Sequence, residues 1–245
     1  MEDRVSRLQE VMGRARADVR KQFEERFELS WIYHDGVLEG QVYTPEELNM
    51  AFSDKVVNDA SLLPTYDEIR NMRAAIALIR DLADKKKANV TQDVIKKIYL
   101  TLSPEEAEQK GAPTFRKEMP LHRLYFHDIA TPEKIAPKMK QLMDWASSAE
   151  TKRSIHTVRL AAKVHHEFLL VYPFTKHSGR VARLLMNMIL LRQGYPPAII
   201  HATERQRYYE ALKTSSDATA QIVGEALAAS VESTIQFFEK RGRAA

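Results

Sequence analysis

Cysteine is absent from the chain, which removes disulfides, thiol catalysis and cysteine-type zinc sites and fits a reducing compartment. Glycine is scarce, 8 of 245 residues, so tight turns are few and a helix-rich chain is expected. Long apolar runs are missing as well. The longest, around Ile189 to Leu191, is bounded by Asn187 and Arg192, far short of the ~20 residues of a membrane span. The charged start MEDRVSRLQE lacks an apolar signal core. A soluble, cytoplasmic protein with no membrane contact is the expectation. Neither sign of charge dominates: 37 Lys and Arg against 33 Asp and Glu leave +4. That balance suits a phosphate-bearing small molecule and is too weak to point to nucleic acid.

What is present is ordinary for a globular protein, with 44% hydrophobic and 29% charged residues. The length fits one large domain or one domain with a helical extension. Apolar spacing predicts an amphipathic helix over 3–28. Thr44-Pro45-Glu46-Glu47 is a capping box with proline in the first turn, and Thr65-Tyr66-Asp67-Glu68 is a second helix start whose run ends near Ala83. Lys85 to Lys87 reads as a solvated helix end. Thr91, Ser103 and Thr131 open further helices, followed by others near 156–171, 180–193, 204–214 and 218–240. Between 111 and 129 the alternation is partial and helical period is lost, so a short β-hairpin or extended flap is expected there. The expected fold is all-α with one small β element. His165, His166, His122, His127 and His201 offer no convincing zinc spacing, and no metal site is expected. Tyr208, Tyr209, Phe237 and Phe238 read as packing residues, and the basic end from Lys240 to Arg243 as a frayed tail.

The stretch VYPFTKHSGRVARLLMN, 171–187, concentrates the chemistry. An apolar helix runs into Tyr172-Pro173-Phe174, a polar loop follows, and a second helix opens at Gly179-Arg180. Helix-opening N–H groups have no intrahelical partner, and a glycine-containing loop before them can turn amides inward as an anion nest. Arg180 and Arg183 lie one turn apart on one face. Two guanidinium forks beside a nest suit phosphate better than a lone carboxylate. A plain helix N-terminus with two surface arginines is the alternative.

The longer stretch AAKVHHEFLLVYPFTKHSGRVARLLMNMILLRQGYPPAII resembles the core of the Fic (Fido) family, whose motif runs H-P-F-x-(D/E)-G-N-G-R-x-x-R. Ala161 to Phe168 resembles the helix before that motif, Leu184 to Asn187 the helix after it, and Gly194-Tyr195-Pro196-Pro197 the closing turn. Thr114-Phe115-Arg116 stands where the family has its flap. Asp35-Gly36-Val37-Leu38-Glu39-Gly40 resembles the N-terminal inhibitory motif, (S/T)-x-x-x-E-(G/N), of the class-II arrangement. The similarity covers roughly 30–215 and implies the Fic helical fold with a hairpin flap: an N-terminal segment over 1–60, a core over 61–215 and a C-terminal helix over 216–245.

The resemblance implies transfer of AMP from ATP to a protein hydroxyl. The motif histidine is the base, the acid holds magnesium, and nest and arginines bind phosphates. Pro173, Phe174, Gly179, Arg180 and Arg183 match; Tyr172 stands at the base position, Lys176 at the metal position, His177 at the first glycine and Ser178 at the asparagine. A phenol titrates near ~10 and an imidazole near ~6.5, so Tyr172 is a poor base at neutral pH. The Lys176 ammonium repels magnesium, although it could neutralise a phosphate or, with its pKa depressed, act as base or amine nucleophile. His177 tolerates a left-handed backbone better than most residues and could supply the missing imidazole. The resemblance further implies that Glu39 pairs with Arg183 and blocks ATP. Asp35, at the Ser/Thr position, could cap a helix.

Three readings stand: a repurposed, non-AMPylating activity, slightly favoured; a non-catalytic binding module; and residual AMP transfer. Tyr172, Lys176, His177 and Glu39 are the candidate catalytic groups. Ser178, Gly179, Arg180 and Arg183 are the candidate phosphate or nucleotide ligands, Asp35, Glu39 and Gly40 the inhibitory-type segment, and Thr114, Phe115 and Arg116 the flap. ATP is the nucleotide the resemblance brings, magnesium has no ligand at the family position, and a protein target and an oligomer stay open.

Overall fold

Several helices start where a side chain replaces the missing turn. Thr44 caps α3 (Pro45–Phe52): its hydroxyl accepts from Glu47 N at 3.1 Å, and the Glu47 carboxylate accepts from Thr44 N at 2.7 Å, closing the box. Thr91 caps α5 (Gln92–Leu102) through Val94 N at 3.3 Å. The computed structural model describes residues 1–53, 59–85, 89–109, 111, 113–120 and 128–242.

Two starts differ from expectation. The helix expected over 3–28 is two helices, α1 (Glu2–Arg14) and α2 (Ala17–Leu38). Arg16 turns extended at φ −62° and ψ 153°, with its guanidinium on the Asp18 carboxylate at 2.8 Å. The break lets Val5 and Leu8 of α1 join Val231 and Ile235 in one apolar cluster. Helix α4 (Leu63–Asp84) opens before Thr65, because Pro64 fits the first turn and the 3₁₀ turn Ala60–Leu62 feeds into it. Thr65 to Glu68 therefore lie inside the helix, and Glu68 is free for another use.

The remaining helices are α6 (Pro132–Ser147), α7 (Ala149–Ser154), α8 (Thr157–Val171), α9 (Ser178–Arg192), α10 (Arg205–Thr214) and α11 (Ser216–Gly242). The short α7 escapes apolar periodicity; Ser148 caps it through Thr151 N at 3.1 Å. Helices α8 and α9 form the central pair, with α4 against α9 and α6 and α11 against α8. Nearly every residue of α9 is buried, polar ones included. Phe168, Phe174, Val181, Leu184 and Leu185 tie the pair into the main core. Asn187 holds the turn after α9 in both senses, donating to Ala198 O at 3.4 Å and accepting from Ala198 N at 2.8 Å.

Among the described residues there is no strand. The hairpin flap expected over 111–129 is not seen over 113–120, and 121–127 lie outside the described residues. The backbone N–H of Arg116 donates to Pro173 O at 2.9 Å, toward the loop rather than a partner strand. Lys85 ends α4, whereas Lys86, Lys87, His122, His127 and Arg243 lie outside the described residues. No helix among the described residues is long and apolar enough to cross a membrane.

Candidate functional site

The loop between α8 and α9 is held from both ends. At the first, the buried Arg116 guanidinium covers the last carbonyls of α8, reaching Tyr172 O at 2.8 Å, Val171 O at 3.4 Å and the Ala130 carbonyl, with Glu118 O at 3.1 Å. A planar fork of donors suits this convergence of carbonyls. Phe115 packs its ring 5.9 Å from that of Phe174, and Thr114 is exposed. Arg116 is thus a clamp on the loop's entry. At the second end, the buried Ser178 hydroxyl accepts from Phe174 N and donates to Phe174 O, both at 2.9 Å. That hydroxyl serves the loop itself.

Two non-glycine residues bend the path, Tyr172 at φ 47° and His177 at φ 60°. Histidine is among the side chains that tolerate this region, and its position precedes the free N–H groups that open α9. His177→Gly is expected to match or exceed wild-type stability, whereas a β-branched His177→Val should lose about 1–2 kcal/mol. Thermal denaturation of the pair checks this.

Arg180 and Arg183 point into a buried acidic setting. Arg183 is gripped by Asp35 on both sides of the fork, Nε to Oδ2 at 2.7 Å and Nη2 to Oδ1 at 3.1 Å, and by Glu39 at 2.6 Å. Arg180 meets Glu68 at 2.5 Å, Gln41 at 2.6 Å, the Tyr43 hydroxyl at 3.1 Å and Asp35 at 3.4 Å. Asp35 is therefore no helix cap: it lies within α2 as a buried counter-ion, because its short carboxylate faces both guanidinium groups. Gly36 makes room for this arrangement. A Cβ there would come within 2.5 Å of the Tyr43 ring, the residue that also braces Arg180. Gly40, at φ 86°, then turns the chain back toward α9.

Electrostatics follow from that geometry. Burial pushes the Asp35 carboxyl up, but Arg183 and then Arg180 outweigh it and hold it below the ordinary range. Burial, reinforced by Glu39, pushes the half-buried Tyr172 phenol up to about 12. Burial and then Arg180 lower the His177 imidazole, so it is neutral at physiological pH. The structure brings Glu39, Arg183, Arg180 and Asp35 together, with His177 within the electrostatic reach of Glu39. Lys176 does not join them; it is exposed and makes no ion pair among the described residues. Glu68, Gln41 and Tyr43 were not anticipated. Glu68 carries the signature of a helix start, and the others carry no motif.

Magnesium does not fit these residues. The loop from 175 to 178 supplies no carboxylate, and the nearby acids are engaged with arginines. Among the described residues no group of three or more His, Asp or Glu is placed to hold a metal ion.

An all-helical bundle built on a buried central pair, with an arginine-bearing loop joining its helices, defines the class. Residues 89–190 match the Fic/DOC family. A protein adenylyltransferase Fic from Drosophila willistoni is 28% identical over 209 residues, 84% of this chain and 41% of that protein. A Fic domain-containing signalling protein from Bacteroides thetaiotaomicron shares the fold at a TM-score of 0.76 and 22% identity, over 96% of this chain and 95% of that one. Fic-1 from C. elegans does so at 0.73 and 23%, over 96% and 71%. The chain has the fold of these solved Fic-domain proteins, and its match to the Fic/DOC family lies over 89–190. The chain spans about two fifths of the length of the curated relative it matches.

Two histidines beside the site are accounted for by packing. His165 Nε2 lies 2.9 Å from the Tyr208 hydroxyl and His166 Nδ1 2.9 Å from Thr219 Oγ1, joining α8 to α10 and α11.

Proposed function

We propose that this chain is a Fic-fold binding module: the 175–183 loop takes the phosphate of a nucleotide or phosphorylated metabolite, and the family's magnesium-assisted AMP transfer is absent. One observation carries the reading. Two buried arginines survive at the start of α9, while the base position holds a phenol pushed up to about 12 and the metal position an exposed lysine. The arginines and the free N–H groups of α9 supply anion recognition; nothing supplies a base of the right strength at Tyr172 or a ligand for magnesium. The Glu39–Arg183 pair matches the inhibitory contact the family resemblance implies, so a ligand competes with the chain's own carboxylates.

The expected result with labelled ATP and magnesium is no transfer to the protein itself or to a lysate, in wild type or Glu39→Gly. Calorimetry with ATP and with inorganic phosphate should show binding that Arg180→Ala and Arg183→Ala abolish. Robust labelling that vanishes in Arg180→Ala sinks the reading in favour of residual AMP transfer. A repurposed activity keeps one supporting observation, the neutral, half-buried His177 imidazole within the loop. Turnover of a phosphorylated metabolite that is lost in His177→Ala would favour it.

A further inference from the structure

Three carboxylates face two guanidinium groups in this site, and they are not equivalent. Glu39 ends α2 on a long side chain, is 15% exposed and meets Arg183 through one carboxylate oxygen at 2.6 Å. Glu68 reaches Arg180 from α4 and is 24% exposed. Both can swing toward solvent by rotating side-chain bonds. Asp35 cannot. Its side chain is 2% exposed, it is short, it projects from within a helix, and it engages Arg183 through both oxygens while touching Arg180 at 3.4 Å. Planar bidentate pairing is the geometry an arginine also offers to two oxygens of a phosphate. Donors are underused as well: among the described residues the buried Arg183 Nη1 has no well-formed hydrogen bond, only the neighbouring Tyr208 phenol, and Arg180 Nε has the long ion-pair contact to Asp35. A carboxylate offers two oxygens to this cradle, whereas a tetrahedral phosphate offers more.

We propose that Asp35 is the resident stand-in for the ligand's phosphate, and that Asp35 rather than Glu39 sets how weakly the cradle binds external anions. The proposal rests on the phosphate-binding reading above and adds the residue that regulates it. Local charge gives the reason. With three carboxylates on two arginines the cradle is net negative, and losing Glu39 or Glu68 alone leaves the bidentate occupant in place. Access for a phosphate then requires the end of α2 to leave, and that end is clamped: Arg205 Nε donates to Val37 O at 3.0 Å and the Tyr209 hydroxyl to Leu38 O.

The test is titration of the full chain with inorganic phosphate and with ATP at constant ionic strength, read by calorimetry and by melting temperature. Asp35→Asn keeps the shape of the side chain while removing the charge and turning one of its two acceptor oxygens into a donor, so the bidentate grip on Arg183 is lost. This variant should bind phosphate at least tenfold more tightly than wild type, and its melting temperature should rise with phosphate. Glu39→Gln should gain threefold or less. Asp35→Ser, which supplies the hydroxyl of the inhibitory-type pattern, should follow Asp35→Asn and covers the case in which the asparagine variant fails to fold. Phosphate affinity unchanged in both Asp35 variants, or Glu39→Gln gaining as much as Asp35→Asn, overturns the proposal while leaving the binding reading intact. No binding of phosphate or ATP by any variant, including the Asp35→Asn, Glu39→Gln double, overturns the binding reading itself and the proposal with it.

Discussion

Arg183→Ala is expected to cost about 3–5 kcal/mol of folding stability, because it strips the main partner from a buried carboxylate. Asp35 would keep only the 3.4 Å contact to Arg180, with its own burial unchanged. The pH dependence should reverse as well. In wild type the Asp35 carboxyl is held below its unfolded value, so its stabilisation is present above ~pH 4 and is lost as pH falls through the folded value. With Arg183 gone, burial becomes the leading influence and raises the carboxyl above the unfolded value. Protonation then favours the folded form, and the variant gains on wild type as pH falls toward ~4. Urea denaturation across acid pH measures both effects. An Arg183→Ala protein as stable as wild type at neutral pH would show that the pair contributes little.

Arg116→Met should be the other severe change, on the order of 3–4 kcal/mol, since it leaves the carbonyls of Val171 and Tyr172 at the end of α8, and those of Glu118 and Ala130 beside them, without their charged donor. Methionine retains much of the stem's bulk, so the loss reports hydrogen bonding rather than a cavity. Arg116→Lys should rescue only a minor share, because one ammonium cannot reproduce a planar fork spanning Tyr172 O, Glu118 O and the Ala130 carbonyl. Denaturant midpoints for the three proteins decide it; full rescue by lysine would show that charge alone suffices.

Features encoded within four or five residues were legible in the sequence. The box at Thr44, the cap at Thr91 and the left-handed His177 each depend on chain neighbours, and so does the one-turn spacing of Arg180 and Arg183. Partners chosen across the fold were not legible. Glu68 carries the signature of a helix start, yet Pro64 opens that helix and the carboxylate goes to Arg180, 112 positions away. Asp35 is an equally good cap on paper, and only the close approach of α2 to α9 makes it a counter-ion. Arg116 fell in a stretch whose partial alternation looks like a hairpin, and no periodicity could show its guanidinium turned under α8. Apolar spacing also runs on through Ala15 and Arg16, so it could not locate the bend that sends α1 to α11.

The near-complete burial of α9 has a kinetic consequence. Amide protons there can exchange with solvent only when the surrounding helices separate, so protection along 181–190 should track the whole molecule's unfolding rather than any local breathing. The arginines therefore sit on a helix enclosed along nearly its whole length. A ligand cannot remodel that surface; it can only wait for something above it to lift, and the time constant of capture belongs to the end of α2.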